Sequence, residues 1–370
     1  ENITLNKNDV IEAVIEDMGM NGEGIARVEG AVVFVRGAIT GERVRAKIIH
    51  AGKTYCVAIL DRILNSADCR ISPPCPHFPK CGGCTLQHIA YNAQTEFKSE
   101  SLKNTLKKQG VDINNLQNVV KSQNEYNYRN KLTLPVRYPH RIGFFRAESH
   151  SVIEITDCML QNFDCKSIIA ALKEFIDRSG LFGYDEESGS GDIRHISVRK
   201  LGGKYCVCLV ATRDISKLLD PFCKTLENLF GESFSLWLNI NTKKTNVVFS
   251  DEFVYIGGKA TETEISGLKI SPHPSAFFQV NDYVREKLYS AALEEIQGFN
   301  TVIDAYSGAG ILSALSARFA ENVVAVEINE KAHNAALSLA KNNGVKNLTC
   351  VCGDCAVELE KILSRTDRKS

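Results

Sequence analysis

Cys75, Cys81 and Cys84 stand in the pattern C-x5-C-x2-C. Gly82 and Gly83 fill the tight C-x2-C turn, which lets the backbone curl around a metal centre. Cys69 lies just upstream, and Cys158 far downstream in Ile155-Thr156-Asp157-Cys158. Four thiolates are what an iron–sulfur cluster or a structural zinc requires, and soft sulfur suits either. Three clustered cysteines with a remote fourth favour the cluster, because zinc ribbons usually carry two C-x2-C pairs and only one is present. Unligated thiols are the remaining alternative. On chemistry alone, Cys69 competes with Cys158 for the fourth position. For Cys56, Cys165, Cys206, Cys208, Cys223, Cys350, Cys352 and Cys355 the bland reading is favoured: most sit in apolar runs and read as small buried hydrophobes.

A second chemistry-bearing segment is Val302-Ile303-Asp304-Ala305-Tyr306-Ser307-Gly308-Ala309-Gly310, a strand running through a glycine turn into a helix. Gly308 and Gly310 let a ligand approach the backbone there. Glu327 ends the next strand about 20 residues on, where an acid accepts hydrogen bonds from ribose hydroxyls. A third strand ends at Gly353-Asp354, where an acceptor can meet an adenine amino group. The turn lacks the third glycine of the dinucleotide fingerprint. A plain glycine turn and a dinucleotide site are the competing readings.

Residues 121–146 interleave Lys121, Arg129, Lys131, Arg137, Arg141 and Arg146 with Tyr126, Tyr128, Tyr138, Phe144 and Phe145, against a single acid, Glu125. Cations attract phosphates and aromatic rings stack unpaired bases. Arg194, His195, Arg199 and Lys200 form a second basic cluster. Each cluster alone reads as a solvated face. Together, beside a cofactor turn, they point to RNA, with Arg129, Lys131, Arg137, Arg146 and Arg194 as candidate contacts.

Several elements must position these groups. Residues 1–64 read as an OB-like β barrel of short strands: Val10 to Ile15, Ala31 to Val35, Val44 to Ile49 and Tyr55 to Leu60. Its bland reading is a spacer. Residues 65–265 read as a central α+β domain carrying the cysteine loop. Its strands are expected at Lys131 to Val136, Ile193 to Arg199, Tyr205 to Ala211 and Ser235 to Asn239, with a helix at Ser167 to Arg178. A polar helix is expected from about Asn92 to Gln109, and a longer helix over 92–125 can pack on the catalytic domain. Residues 266–370 read as a Rossmann-like domain. The pattern there is helix Asp282–Gln297, strand Thr301–Ala305, helix Ile311–Ala320, strand Asn322–Glu327, helix Glu330–Asn342 and strand Leu348–Cys352.

The totals exclude little. Lys plus Arg and Asp plus Glu both number 44, so a nucleic-acid surface must come from local clustering rather than net charge. There are 13 cysteines. No secretory signal is visible, and no apolar run reaches the roughly 18 residues that would suggest a membrane span. A reducing cytoplasm is the expected compartment, where clustered cysteines more often hold metal than form disulfides.

These motifs resemble the bacterial 23S ribosomal RNA uracil-5-methyltransferase family. The match rests on the Cys75/Cys81/Cys84 plus Cys158 pattern, Tyr128-Arg129-Asn130-Lys131, Phe277-Phe278-Gln279-Val280-Asn281, and Asp304 to Gly310. The resemblance spans essentially the whole chain. It implies a TRAM barrel, a cluster-bearing central domain and a class I methyltransferase domain. It also implies a four-iron four-sulfur cluster with Cys158 as fourth ligand, and S-adenosylmethionine held by Gln279, Tyr306, Gly308, Gly310, Ile311, Glu327 and Asp354. Some relatives carry a polar residue where Ile311 stands. The expected partner is ribosomal RNA with a single-stranded or flipped uridine, bound by a monomer.

The implied chemistry is addition of a cysteine thiolate to carbon 6 of uracil, methyl transfer to carbon 5, and loss of the carbon 5 proton. The family's nucleophile follows an Asp-Pro-Pro-Arg strand end downstream of Asp354, and its general base lies further on. Neither motif occurs here, so the expectation is a C-terminally truncated chain without turnover. Three roughly complete βα units, where a doubly wound sheet usually has more, favour the same view. The alternatives are a non-catalytic RNA-binding iron–sulfur protein, a transfer-RNA uracil-5-methyltransferase, and a radical methylthiotransferase. The last needs C-x3-C-x2-C and usually places its barrel last.

Overall fold

The computed structural model describes residues 5–366. The chain divides into two units, Glu1–Lys121 with Phe144–Ile153, and Ser122–Gly143 with Glu154–Ser370.

The first unit opens with β1 (Val10–Val14), β2 (Asp17–Met18), β3 (Gly24–Val28), β4 (Ala31–Arg36), β5 (Arg43–Ala51) and β6 (Tyr55–Asn65). They form one sheet in the order β1-β5-β6-β4-β3-β2. Strict alternation builds its core. Ala31, Val33 and Val35 of β4 and Val44, Ala46 and Ile48 of β5 point inward with Ile15, Cys56 and Ala58. Each buried Val or Ile contributes about 1.5–3 kcal/mol. The expected barrel is not closed: no ladder joins β1 to β2 among the described residues. β2 is only two residues long, and its pairing is taken up by Asp17↔Ile25 and Met18↔Gly24 of β3.

A buried ion pair ties this sheet to the cysteine loop. Glu42 is fully buried. It accepts from Arg70 Nε at 2.6 Å and Nη2 at 2.7 Å, and from the Ile39 N–H at 2.9 Å. The arginine and the backbone donors hold its carboxyl below the ordinary range against the opposing effect of burial. After the loop, α1 (Tyr91–Lys108) is polar and buries only Thr95. It ends at Lys108 instead of continuing toward residue 125.

The next sheet has seven strands, ordered β13-β12-β11-β10-β7-β8-β9. Its strands are β7 (Lys131–Arg137), β8 (Arg141–Phe145), β9 (Val152–Glu154), β10 (Ile193–Leu201), β11 (Lys204–Ala211), β12 (Phe234–Ile240) and β13 (Phe253–Gly258). The helices α2 (Cys165–Ser179) and α3 (Asp220–Phe230) meet through Phe175 and Phe222, ring centroids 5.3 Å apart. Asp164 caps α2, and Gly180 ends it in the left-handed conformation. β14 (Thr263–Ile265) and β15 (Leu268–Ile270) form a hairpin that leads into the last region.

That region runs α4 (Asp282–Glu295), β16 (Thr301–Ala305), α5 (Ile311–Ser316), β17 (Asn322–Glu327), α6 (Glu330–Asn342), β18 (Leu348–Cys352) and α7 (Cys355–Thr366). β16, β17 and β18 pair in parallel. Asn281 caps α4 and Asn329 caps α6. Ile265, Leu268, Ile270, Phe278, Tyr289, Ile311, Leu315 and Leu339 share one apolar cluster. Among the described residues no helix is long and apolar enough to cross a membrane.

Candidate functional site

β16 delivers Asp304 and Ala305 to a turn whose backbone is unusual. Tyr306 has φ 61° and its side chain is 78% exposed, so a bulky residue sits in left-handed space with its ring presented outward. Gly308 and Gly310 also have positive φ. At Gly310 a Cβ would lie 2.7 Å from Ala336 Cβ, so α5 can pack on α6 only through a glycine. The Tyr306 N–H donates to Cys355 Sγ at 3.3 Å. Ser313 Oγ donates to Asp304 Oδ2 at 2.6 Å, yet burial still pushes the Asp304 carboxyl upward.

Glu327 spans two turns. Its Oε2 accepts from the Gly308 N–H at 2.9 Å and its Oε1 from the Asn329 N–H at 2.7 Å. Asp354 is exposed, and its Oδ1 caps α7 by accepting from Ala356 N–H at 2.9 Å. Ser307 Oγ is buried in the same turn without a hydrogen-bond partner. An exposed ring, carboxylates at two successive strand ends, open glycines and an unsatisfied hydroxyl fit a nucleoside with a ribose diol. Gln279 is half-buried on the lip leading into α4. Ile311 is 7% exposed and packs in the apolar cluster; its side chain supports the turn from beneath.

Cys75, Cys81 and Cys84 lie in the first unit and Cys158 in the second. Loop packing is set by close backbone approach: a Cβ on Gly82 would lie 3.1 Å from Phe145 O, and its N–H donates there at 2.9 Å. The Gly83 N–H points at Cys81 Sγ at 3.4 Å, and Gln87 Nε2 at Cys84 Sγ at 3.2 Å. The donor chemistry of these cysteines suits a soft metal. Among the described residues, no three His, Cys, Asp or Glu side chains gather as a metal-binding group.

The basic residues divide sharply. Arg129 and Lys131 are half-buried at the start of β7, and Lys131 faces Arg199 across the ladder. Burial, then repulsion from Arg199 and Arg129, pushes the Lys131 ammonium down to about 8. Arg137 pairs with Glu186 and lies over the Tyr184 ring at 5.9 Å. Arg146 is exposed, in the first unit.

The second basic cluster turns inward, against expectation. Arg194 is 4% exposed and donates to the carbonyls of Asn241, Lys243 and Thr245. Arg199 is buried and donates to Ala276 O at 3.0 Å and Phe278 O at 3.3 Å. His195 is buried too, its imidazole pushed down to about 3 by burial and the neighbouring arginines. The reason is coverage of both faces: β10, lying between β11 and β7, is buried at every position from Ile193 to Arg199. Arg194 is therefore a loop anchor, with no surface to offer a phosphate. Sequence reasoning missed Asn130 and Asp282, whose side chains join at 2.7 Å. Only Asn130's place inside Tyr-Arg-Asn-Lys hinted at it.

Known proteins place this arrangement. Residues 5–60 match the TRAM domain. An uncharacterized RNA methyltransferase of Clostridium acetobutylicum is 35% identical over 98% of this chain and 81% of its own length. Another, from Clostridium tetani, is 34% identical over 99% and 81%. The solved Pyrococcus abyssi tRNA (uracil-54, C5)-methyltransferase in complex with S-adenosyl-L-homocysteine shares the fold. Its TM-score is 0.72 at 24% identity, covering 92% of this chain and 79% of that one. The chain belongs to the TRAM-domain RNA methyltransferase family, and it is a methyltransferase by that membership.

Proposed function

We propose that the protein transfers a methyl group from S-adenosylmethionine to carbon 5 of a uridine, and that the uridine lies in 23S ribosomal RNA. The carrying observation is the turn at Tyr306 with the Glu327 carboxylate reaching across it to Gly308 N–H. In this reading Glu327 accepts from the ribose hydroxyls, Asp354 receives the adenine amino group with its uncapped oxygen, and Gln279 closes the lip. Gly308 and Gly310 give room for the donor. Arg129, Lys131, Arg137 and Arg146 are the proposed phosphate contacts.

Carbon 5 of uracil becomes nucleophilic when a thiolate adds to carbon 6. The new bond then forms from carbon 5 to the methyl carbon as the sulfur–methyl bond breaks, and the carbon 5 proton leaves with elimination of the thiolate. That thiolate is not assigned to Cys350, Cys352 or Cys355. Cys355 is buried behind the Tyr306 N–H. Cys75, Cys81, Cys84 and Cys158 are the residues that would hold a four-iron four-sulfur cluster. Bound there, the cluster would have a structural role.

The test uses the full-length protein, purified without oxygen. It is incubated separately with unmodified ribosomal RNA and transfer RNA and labelled S-adenosylmethionine, and the labelled base is mapped. Label on carbon 5 of a ribosomal uridine is expected. Label only in transfer RNA would move the substrate, and label on another base would overturn the reading. Iron and sulfide analysis of the same preparation decides the cluster: about four irons per chain are expected, and an iron-free preparation rules it out.

A further inference from the structure

The segment 127–130 runs between two others within the second unit. On one side the Asn127 N–H donates to Met159 O at 2.9 Å and the Arg129 N–H to Leu160 O at 2.8 Å, while the Asn162 N–H returns to Arg129 O at 2.9 Å. On the other side Arg129 forms an isolated bridge with Asn281, and the Asn130 N–H donates to Val280 O at 2.8 Å. The backbone of Arg129 is thus held on both edges.

The Asn130 side chain completes the link. It is fully buried, and its Nδ2 donates to Gln279 O at 3.0 Å and to Asp282 Oδ1 at 2.7 Å. An amide nitrogen has two protons, so both are placed. Asp282 is the shared acceptor: Arg285 Nη1 donates to Oδ1 at 2.6 Å, and Asn162 Nδ2 to Oδ2 at 3.1 Å. Arg285 is 7% exposed, so this carboxylate has a buried countercharge. One carboxylate collects donors from three separate segments, and one amide joins it to the peptide of Gln279. Arg129 and Gln279 cannot shift independently without leaving a buried polar group unpaired.

We propose that Asn130, held by Asp282, is a positioning residue that makes cofactor binding at Gln279 and RNA binding at Arg129 mutually reinforcing. The proposal rests on the assignment of those two residues made above. Ordering the lip by one ligand fixes the 127–130 segment for the other, and linkage requires the effect to be reciprocal.

The test measures binding of S-adenosylhomocysteine and of a single-stranded, uridine-containing oligoribonucleotide to the full-length protein, each with and without the other at saturation. In the wild type each ligand is expected to tighten the other by the same factor, on the order of tenfold. In Asn130→Ala that factor falls to about one. Asn130→Asp sets two carboxylates against each other and also loses the coupling. A merely structural role would lower the melting temperature while leaving the coupling factor in place. The proposal falls if the wild type binds both ligands without mutual effect, or if a folded Asn130→Ala keeps the factor. A wild type that binds neither ligand overturns the functional assignment itself, and this proposal with it.

Discussion

The Gly308 N–H donates to Oε2 of Glu327 at 2.9 Å, so the carboxylate at the end of β17 reaches back over the turn that follows β16. Its other oxygen holds the Asn329 N–H at the cap of α6. One carboxylate thereby sets the spacing of two turns and keeps lone pairs for a diol. Glu327→Gln keeps the length but removes the charge and one acceptor. A hydrogen bond to a charged group is worth about 1.5–3 kcal/mol. The variant should bind S-adenosylhomocysteine roughly ten- to hundredfold more weakly by titration calorimetry. An unchanged affinity with a lowered melting temperature would show that Glu327 only braces the turns.

Tyr306 stores strain. A bulky residue at φ 61° costs on the order of 1–3 kcal/mol, and such outliers cluster at ligand sites. Its ring is 78% exposed, so packing does not explain it. Tyr306→Gly should make the protein more stable to urea by up to about 1 kcal/mol and weaken S-adenosylhomocysteine binding several-fold. Tyr306→Phe, which keeps the ring, should bind nearly as wild type. Equal affinities for glycine and tyrosine would remove the ring from the site.

Much of the last region is legible in sequence, and the reasons are local. β16, β17, α6 and β18 fall on the expected residues because each short apolar strand is bounded by a glycine, an asparagine cap or an acid. α5 was expected to reach Ala320 but ends at Ser316. The N–H groups of Arg318 and Phe319 bond back to Leu315 and Ser316, tightening the last turn. The outward-facing reading of Arg194 and Arg199 failed for a different reason. Spacing gives the chemistry of a side chain but not whether both faces of its strand are covered, and β10 is buried on both from Ile193 to Arg199. The contact between Asn130 and Asp282 spans 152 positions, beyond the reach of any local pattern.

Lys131 provides a test by pH. Burial and two arginines bring its ammonium from the ordinary 10.5 down to about 8. A phosphate beside it would restore the charged form, so binding RNA between those two values takes up a proton. Affinity for the oligoribonucleotide should fall as pH rises through 8, approaching tenfold per unit. The stability sign is opposite: in the same window the unfolded chain holds more protons, so folding stability should rise with pH. Lys131→Met should bind RNA more weakly at pH 7 and lose the steepening above pH 8. A wild-type profile that matches Lys131→Met would exclude contact between this ammonium and phosphate.

Arg194 and Lys131 make a contrasting pair of basic residues on neighbouring strands. Arg194 is buried, lies 4.7 Å over the Tyr184 ring, and donates to three carbonyls that shape the loop after β12. Truncating it strands those acceptors and leaves a void, a loss of about 2–4 kcal/mol. Arg194→Ala should therefore unfold at lower urea. Where it remains folded, its RNA affinity should stay within about twofold of wild type with the same salt dependence. Lys131→Ala should do the reverse, keeping most of its stability while flattening the slope of log affinity against log salt by about one. A salt slope that flattens in Arg194→Ala at undiminished stability would mean that the guanidinium leaves its carbonyls to meet RNA.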